Sequence, residues 1–508
     1  MICGERKAYK ARVNAALMAM PDVVEGASGS ARSNVAHPLV GSHFQGNETA
    51  VAGPLDQDIA ISRGGYIVNV TNRKIAVYDE NGKLLKSTGL FAFGAGVDTA
   101  ESPFDPRALY DSTRDRFVVM YVSGFDTTNN QIIVAFSQTN DPTQGWNIYG
   151  IDGGISQNFV DYPQMAFSDS ELFITGDLLG FDSQGWIRDA GVGIWQIQLA
   201  EGFAGQSLVM QTQIVNGDKF IHPVEGQLGS NGEGMHFLST RLNGNDIKLY
   251  RIQNTIASQQ NTIRVETSFT GNSGFRSPPN VEQKGPSNGD PSKLLHTFDN
   301  FITSSYRKGN RIYFVAASNV SGRPGIYFGK ISLSPLGGTF NTLSDQLFSS
   351  DSLQYAFPSI GYAGTRGTTG EYSSIIVFDF ASPNHHPGVG VIYIDQQGDA
   401  SDELIVYESP ANLALSGTIN DPRNRWGDYT DAAVRYEGEV WIVGYAAKPD
   451  QSHSTRIAQL FENPTAVGID QTIHQDIKEL KAYPSPAVDH ISFEFDVTNT
   501  AMYTARIV

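Results

Sequence analysis

The chain has 508 residues, a formal net charge of −17 and an isoelectric point near 5.0. It lacks the dense Lys/Arg clusters that contact phosphates, which argues against nucleic acid as a partner. No stretch approaches the ~20 apolar residues of a membrane-spanning helix, and the single cysteine, Cys3, excludes an intramolecular disulfide. An acidic surface is compatible with cation binding.

Residues 1–50 combine a short helical pattern with a Ser/Gly/Asn-rich stretch, EGASGSARSNVAHPLVGS. This composition predicts a partly disordered leader or linker. The first twenty residues carry charges where a signal peptide has an apolar core. We therefore expect that the true export leader is missing or that the start of the chain is misassigned.

Residues 51–467 consist of short strand patterns separated by turn residues. The first unit reads DIAIS, YIVNVTN, KIAVYDE and KLLKST, which is an antiparallel meander of four strands. Six further units follow, and seven such meanders in series predict an all-β fold, a β-propeller. Six or eight blades would also fit, and a series of β-sandwiches would show the same strand texture.

The seventh unit opens at WGDYTDAAVR and shows only three clear strands. We predict that a segment from about 36 to 52 supplies the fourth strand of this blade. Such pairing closes the ring and removes the exposed sheet edges that otherwise favour aggregation.

Each unit opens on a polar residue or a proline ahead of a strand of small residues, as expected for the innermost strand of a blade. Carboxylates that converge at one channel mouth could bind Ca²⁺, which prefers oxygen ligands, or serve as acid/base groups. The alternative is that each Asp only caps backbone N–H groups at the start of its strand. The residues that open the units are Asp58, Asp105, Asp161, His222, Asp299, Phe357 and Asp428. The predicted metal ligands are Asp105, Asp161, Asp299 and Asp428. The candidate catalytic carboxylates are Asp161 and Asp428.

The densest local cluster of functional side chains is NRWGDYTDAAV, residues 424–434. Aromatic rings in such a cluster can stack on sugars, while Asp and Arg bind hydroxyl or carboxylate groups. The alternative is that Trp426 only fills space between two blades. The predicted ligand-binding residues are Arg425, Trp426, Asp428, Tyr429, Asp431, Tyr162, His222 and Glu225.

The stretch AYPSPAVDHISFEFDV resembles the start of the C-terminal sorting domain of type IX secretion substrates from Bacteroidetes, which opens on Tyr-Pro-Asn-Pro before a strand. Ser485 stands where that family usually has Asn. The resemblance implies a linker over 468–480 and an incomplete, small β-sandwich-like sorting domain over 481–508. It also implies the type IX secretion machinery as a partner, and a location outside the cell or on the outer surface of a Gram-negative bacterium.

The body of the chain resembles sialidase-like propellers of secreted bacterial proteins in the stretches IVNVTNRKIAVYDENGKLL, FDPRALYDSTRDRFVV, DYPQMAFSDSELFIT and RWGDYTDAAV. This resemblance implies a fold and not an activity. True sialidases open on Phe/Tyr-Arg-Ile-Pro and hold the substrate carboxylate with three arginines. The opening motif is absent and Arg107, Arg116 and Arg425 are scattered, which disfavours a sialic-acid hydrolase.

These observations predict a monomeric, secreted or cell-surface propeller that binds a glycan or another surface polymer at the channel mouth without catalysis. One alternative is a glycoside hydrolase or lyase that uses carboxylates at the mouth. Another is a structural or adhesin module of a longer surface protein.

Overall fold

A computed structural model of the protein describes residues 35–462 and the strands at 477–483 and 492–497. Within the first range it leaves out 50–52, 185–186, 227, 229–231, 243, 259–261, 273–274, 289, 335–340, 367–369, 414–423 and 451. Contacts divide the chain into two units, Met1–Glu462 and Asn463–Val508.

The first unit is a β-propeller of seven four-stranded antiparallel blades, which confirms the predicted fold. Blade 1 contains β2 (Asp58–Ile61), β3 (Ile67–Thr71), β4 (Lys74–Tyr78) and β5 (Leu84–Gly89). Blade 2 contains β6 (Pro103–Asp111), β7 (Arg116–Ser123), β8 (Gln131–Ser137) and β9 (Trp146–Asp152). Blade 3 contains β10 (Phe159–Phe167), β11 (Glu171–Phe181), β12 (Ile187–Gln198) and β13 (Met210–Val215).

Blades 4 to 7 follow the same order, inner strand first. Blade 4 contains β14 (His222–Pro223), β16 (Met235–Thr240), β17 (Asp246–Ile252) and β18 (Arg264–Thr270). Blade 5 contains β21 (Ile302–Lys308), β22 (Arg311–Val320), β23 (Arg323–Ser332) and β24 (Thr342–Phe348). Blade 6 contains β25 (Gln354–Arg366), β26 (Tyr372–Ser382), β27 (His385–Ile394) and β28 (Leu404–Glu408), and blade 7 contains β29 (Asp431–Tyr436), β30 (Glu439–Ala447), β31 (His453–Phe461) and β1 (Leu39–Thr49).

The strand β1 closes the ring. This was predicted because the seventh unit shows only three strands. It pairs antiparallel with β31, from Leu39 opposite Phe461 to Thr49 opposite His453. Asn47 also ties this strand to blade 1, because its amide donates to the Asn69 carbonyl at 2.9 Å. The segment 39–49 is therefore part of the propeller, although its Ser/Gly/Asn-rich context resembled a linker.

Burial follows the order of the strands within a blade. The second strand of blade 2, RFVVMYVS, is buried at every position after the first. The outer strand of blade 1, LLKSTG, is almost wholly exposed. Second strands such as RFVVMYVS read as nearly continuous apolar runs because neighbouring blades cover both of their faces, while outer strands tolerate Lys and Ser because one edge meets water.

The starts of the seven inner strands share a two-residue spacing. In every blade an Asp or aromatic residue precedes, by two positions, a polar residue of the channel. We call the first set gate residues and the second set ring residues. The gate residues are Asp56, Asp105, Tyr162, Phe220, Phe301, Phe357 and Tyr429, and the ring residues are Asp58, Arg107, Gln164, His222, Thr303, Ser359 and Asp431.

Five gate residues have a positive φ of 47–51°, which non-glycine residues seldom adopt. In blades 2, 3 and 6 the gate residue precedes a proline, and the two residues form a β-bulge against the second strand. A bulge changes which side chains face the channel, because it adds a residue to one strand only. The end of the channel where the gate residues lie is called the entrance pole below, and the other end the exit pole.

The described parts of two long connections lie over the entrance pole. The connection from blade 4 to blade 5 contains the strand pair β19 (Val281–Glu282) and β20 (Leu294–Leu295) and the 3₁₀ helix Pro291–Lys293. Its residue His296 donates its backbone N–H to the Asn424 carbonyl, in the connection from blade 6 to blade 7, at 2.9 Å. Gln283 likewise bonds both backbone groups of Leu413, at 2.7 and 2.9 Å. We call the described residues 277–298, 409–413 and 424 of these connections the roof.

Other regular elements are few. β15 (Glu225–Gly226) leaves blade 4 and pairs in parallel with β21 of blade 5. The helices of the described residues are Leu90–Phe93, Leu199–Ala204 and the 3₁₀ turn Ile155–Gln157, besides the one in the roof. None of the helices in the described part of the chain is long and apolar enough to span a membrane.

In the second unit, β32 (Ile477–Tyr483) pairs antiparallel with β33 (Ser492–Val497). The strand predicted after the Pro-Ser-Pro motif corresponds to β33. β32 begins inside the segment 468–480 that the sequence led us to treat as a linker. Residues 484–486 of the motif lie outside the described residues.

Candidate functional site

The entrance pole is closed by aromatic gate residues. Tyr162 stacks on Tyr429 with ring centroids 5.0 Å apart, and Phe220 stacks on Phe301 at 4.2 Å. Trp426 is fully buried beneath the roof, where its indole N–H donates to the His296 carbonyl at 2.9 Å. Two aromatic residues predicted to bind ligand, Trp426 and Tyr429, thus pack inside the protein and do not line an open mouth.

Three carboxylates meet beside this aromatic plug. Asp56, Asp105 and Asp428 each offer an oxygen within 4.8 Å of the others, and all are buried. Arg425 binds both oxygens of Asp428, at 2.5 and 2.6 Å. Asn72 donates to Asp56 Oδ2 at 2.5 Å and accepts from the Asp105 N–H at 2.7 Å. We call Asp56, Asp105 and Asp428 the carboxylate cluster.

The structure brings together only part of the predicted carboxylate ring. Asp105 and Asp428 meet as expected, and Asp56, which the sequence reading did not select, completes the group. Asp161 instead accepts its neighbour's backbone N–H at 2.9 Å. Asp299 accepts from the hydroxyl of Ser277 in the roof at 3.2 Å. Asp161 thus binds a backbone N–H, as the capping alternative predicts, whereas Asp299 binds a side chain.

The predicted carboxylates differ in their offset from the gate residue of their blade. Asp105 is itself a gate residue, Asp161 and Asp428 lie one residue before theirs, and Asp299 lies two before. Asp58 and His222 lie two residues after their gate residues and belong to the channel ring. Offset alone does not decide which carboxylates meet, because Asp428, bound by Arg425, reaches Asp105, whereas Asp161 at the same offset binds a backbone N–H.

The ring residues form a polar layer below the gate. Arg107 is buried, pairs with Asp58 at 2.7 Å and donates to Gln164 Oε1 at 2.8 Å. Its guanidinium also lies 4.6 Å from the centre of the Tyr429 ring. The sequence reading treated Arg107 as scattered from the channel mouth, whereas the structure places it in the channel because it lies two residues after a gate residue. The arginine of blade 2 thus contacts residues of blades 1, 3 and 7 and compensates the buried charge of Asp58.

A pocket opens at the exit pole, where the inner strands end. Glu225 and Asp431 lie in its lining together with apolar residues of β2, β6 and β29. At its rim Arg114 binds Asp111 at 2.6 Å and donates to the Asp169 carbonyl at 3.0 Å. The cavity volume is about 70 Å³. We call it the exit pocket.

The two carboxyl groups of the exit pocket differ in acidity. Burial, and then the charge of Asp431, raises the pKa of Glu225 to about 8, although Arg107 opposes the shift. Burial raises the pKa of Asp431 to about 6, against the lowering effect of Arg107 and of hydrogen bonds from Ile59, Ala432 and Ser359. At neutral pH, Glu225 is therefore mainly protonated and Asp431 mainly ionised. Such a pair can donate and accept a proton at one place.

His222 lies in the same part of the channel. Burial and the charge of Arg107 lower its pKa to about 3, so the imidazole is neutral at physiological pH. Its neutral ring adds no positive charge to the exit pocket.

The predicted ligand-binding residues therefore fall into two groups. Asp431, Glu225 and His222 lie in or near the lower channel. Arg425, Trp426, Asp428, Tyr429 and Tyr162 form the closed entrance pole. The missed residues are Asp56 and Arg107, and the signal that could have found them is the two-residue spacing of gate and ring positions.

No model of a known protein family matches the sequence, and no curated protein matches it. Among solved structures, the chain is similar to a Trypanosoma rangeli sialidase mutant displaying trans-sialidase activity, with 10% identity, a TM-score of 0.36, and 82% of this chain and 59% of that chain covered. It is similar to a protein of unknown function from Dyadobacter fermentans, with 9% identity, a TM-score of 0.40 and coverages of 84% and 99%. It is also similar to an α-L-arabinofuranosidase from Fusarium graminearum, with 11% identity, a TM-score of 0.36 and coverages of 82% and 98%.

The chain thus spans less than two thirds of the sialidase's length. At these identities and TM-scores the likenesses carry no argument about activity, and the propeller assignment rests on the strand pairing of this chain itself.

Proposed function

We propose that the protein binds the end of a carbohydrate chain in the exit pocket. The observation that carries this proposal is the pair of carboxyl groups in the pocket lining, Glu225 and Asp431. A neutral Glu225 donates a hydrogen bond and an ionised Asp431 accepts one. Sugar hydroxyls both donate and accept, so adjacent hydroxyls of one ring satisfy both groups.

The shape of the channel supports binding of a chain end. Tyr162 and Tyr429 block the entrance pole, so a polymer cannot thread through the propeller. The exit pocket therefore has a floor, and it admits a terminal unit from one side only. The open pocket also argues against a purely structural module. A propeller with a blocked channel and no such pocket would favour that alternative.

The charges of the pocket narrow the ligand class. The rim arginine, Arg114, is already paired with Asp111. Among the described lining residues no other arginine or lysine is available to clamp a carboxylate. The ligand that fits is a neutral sugar or an amino sugar, whose ammonium group Asp431 would attract.

A second candidate function is glycoside hydrolysis, and the different acidity of the two carboxyl groups favours it. Glu225 would protonate the leaving oxygen, and Asp431 would act as nucleophile or as general base. The pair Asp161 and Asp428 does not fit this role, because both carboxylates are buried and neither lines the exit pocket.

Binding of the full chain and of two variants to a glycan array, together with release of nitrophenol from aryl glycosides, tests both candidates. For a binding protein, Glu225→Gln retains the neutral donor and binds within about threefold of wild type, while Asp431→Asn loses about tenfold or more. For a hydrolase, the wild type releases nitrophenol and both variants lose that activity. Asp246→Asn, at an exposed position, is the matched control.

Two results would contradict the binding proposal. One is the absence of any binding to neutral and amino-sugar glycans, and the other is binding that Asp431→Asn leaves unchanged.

We also propose that the chain is exported to the cell surface by type IX secretion. The support is the resemblance of residues 482–497 to the start of a sorting domain, and the position of β33 after the Pro-Ser-Pro motif. In the source organism, the chain should be found in the surface fraction and should stay inside the cell when residues 463–508 are deleted. Surface display of the deleted chain would contradict the proposal.

A further inference from the structure

The carboxylate cluster at the entrance pole carries more negative charge than Arg425 neutralises. Asp56, Asp105 and Asp428 are at most 3% exposed, and their oxygens lie within 4.8 Å of one another. Arg425 contributes one positive charge through its two hydrogen bonds to Asp428. When all three carboxylates are ionised, they and the guanidinium sum to −2, which is the charge that a divalent cation cancels.

Two buried oxygens beside the cluster have no hydrogen-bond partner among the described residues. They are Asp56 Oδ1 and Gln57 Oε1, and their residues are 1% and 0% exposed. Gln57 uses its amide N–H to bind Asp379 at 3.3 Å, which leaves the carbonyl oxygen unpaired. Because buried oxygens in folded proteins are nearly always paired with a protein donor, a water or an ion, these two oxygens are free to act as ligands.

Both unpaired oxygens border the same space. A methyl group placed on Gly427 would lie 3.4 Å from Gln57 Oε1 and 3.8 Å from Asp56 Oδ1. Gly427 directly precedes Asp428, so this space adjoins the third member of the cluster. The Tyr162 hydroxyl is a third buried oxygen without a hydrogen-bond partner among the described residues. The Tyr162 ring stacks on Tyr429, and the Tyr429 hydroxyl donates to Asp105 Oδ2 at 3.4 Å.

We propose that the space beside Gly427 binds one divalent cation, held by Asp56, Asp105, Asp428 and the side-chain oxygen of Gln57. Every donor is oxygen, with no His or Cys in the group, and this donor set is the one that Ca²⁺ takes. The ligands come from the starts of blades 1, 2 and 7. The cation would therefore join the first blade to the last at the point where the ring closes, independently of any ligand in the exit pocket.

Metal analysis of the full chain tests this site. After dialysis against a chelator, the protein should take up one equivalent of Ca²⁺, measured by equilibrium dialysis, and its thermal midpoint should rise with Ca²⁺ concentration because binding to the folded state stabilises it. Tb³⁺ should bind in the same place and be sensitised by the neighbouring rings of Trp426 and Tyr429. Mg²⁺ should compete weakly, because it prefers a smaller octahedral site.

Two variants locate the ion. Gly427→Ala leaves every carboxylate in place and fills the space with a methyl group at ordinary contact distances. Asp56→Asn removes one charge at constant shape. Each should lower Ca²⁺ affinity by at least about tenfold, while Gly89→Ala, at an exposed position, leaves it unchanged. Circular dichroism without Ca²⁺ verifies that the variants fold.

Three results overturn the proposal. The wild-type chain takes up no stoichiometric divalent cation; or Ca²⁺ binds but does not raise the thermal midpoint; or both variants bind Ca²⁺ as tightly as the wild type, which would place the ion elsewhere.

Discussion

Tyr162 of blade 3 and Tyr429 of blade 7 stack across the central channel, with ring centroids 5.0 Å apart and ring planes 21° from parallel. These blades are not neighbours in the ring, so the contact spans the channel. It separates the buried carboxylate cluster above from the polar ring and the exit pocket below. The propeller therefore has one closed end and one open end.

Replacing Tyr162 with Ala should destabilise the propeller strongly, because the side chain is buried among Tyr429, Phe301 and Phe220. The expected loss in the free energy of unfolding is about 3–5 kcal/mol, as for other large aromatic residues in a core. Chemical denaturation measures it. Tyr436→Ala, at a position that is 42% exposed, is the control and should cost no more than about 1 kcal/mol. Equal losses in the two variants would show that the channel plug is not part of the core.

Replacing Arg107 with Met should leave Asp58 as a buried carboxylate without its ion-pair partner. Breaking such a pair costs about 3–5 kcal/mol, whereas replacing both partners costs much less. The double variant Arg107→Met with Asp58→Asn should therefore recover part of the stability. Arg241→Met, in an exposed pair, should change stability by no more than about 0.5 kcal/mol. A double variant less stable than Arg107→Met alone would contradict this account.

Glu225 should make the stability depend on pH. Its pKa is about 8 in the folded protein against a usual value of 4.5, so the folded state holds its proton more tightly than the unfolded state. Between these two values the folded state binds more protons, and the contribution of Glu225 to stability falls as pH rises. Below about pH 4.5 both states are protonated and the penalty disappears.

Glu225→Gln removes this dependence, while Asp431, Arg107, Asp58 and His222 around it remain. The variant should match wild type near pH 4.5 and exceed it by at least about 1 kcal/mol near pH 8.5, a gain reduced by the partial exposure of Glu225 to solvent. Urea unfolding at the two pH values measures the difference. Glu233→Gln, at an exposed glutamate, should show no such change with pH. A variant less stable than wild type at pH 8.5 would refute a protonated Glu225.

Asn47 should be needed to close the ring. Its side chain donates to the carbonyls of Asn69 and Lys74, at 2.9 and 3.3 Å, and accepts from the Tyr78 hydroxyl at 3.2 Å. Asn47→Ala leaves these buried groups unpaired and should cost about 2 kcal/mol or more in the free energy of unfolding. Gln45→Ala, on the exposed side of the same strand, should cost no more than about 0.5 kcal/mol. Similar losses in both variants would show that β1 is held by its backbone pairing alone.

The strand order within the blades could be predicted from the sequence, and seven blades were favoured over six or eight, because these features depend on local patterns. The predicted strand DIAIS matches β2 (Asp58–Ile61), and YIVNVTN contains β3 (Ile67–Thr71). Because the seventh unit shows only three strands, we predicted that an N-terminal segment supplies the fourth, and β1 is that strand. Each of these inferences needs only the two-residue period of a strand, its turn residues, and the requirement that a sheet edge be covered.

The carboxylate ring could be predicted only in part, because a residue's level in the channel depends on bulges. Asp161 and Tyr162 are neighbours in sequence. The Tyr162 ring nevertheless stacks on Tyr429 in the channel, while the Asp161 carboxylate accepts the backbone N–H of Tyr162. A one-residue shift at the bulge decides between these outcomes, and no composition rule sets it.

The sequence by itself indicated a ring of four-stranded meanders, with seven blades favoured and the last one closed by an N-terminal strand, because strand periodicity and edge closure are local requirements. Only the tertiary structure decided which mouth is open. The roof joins His296 to Asn424 and Gln283 to Leu413 across more than a hundred residues, and it buries Trp426 beneath it. Contacts between such distant segments depend on how the blades close around the channel, and this closure leaves Glu225 and Asp431 at the open pole.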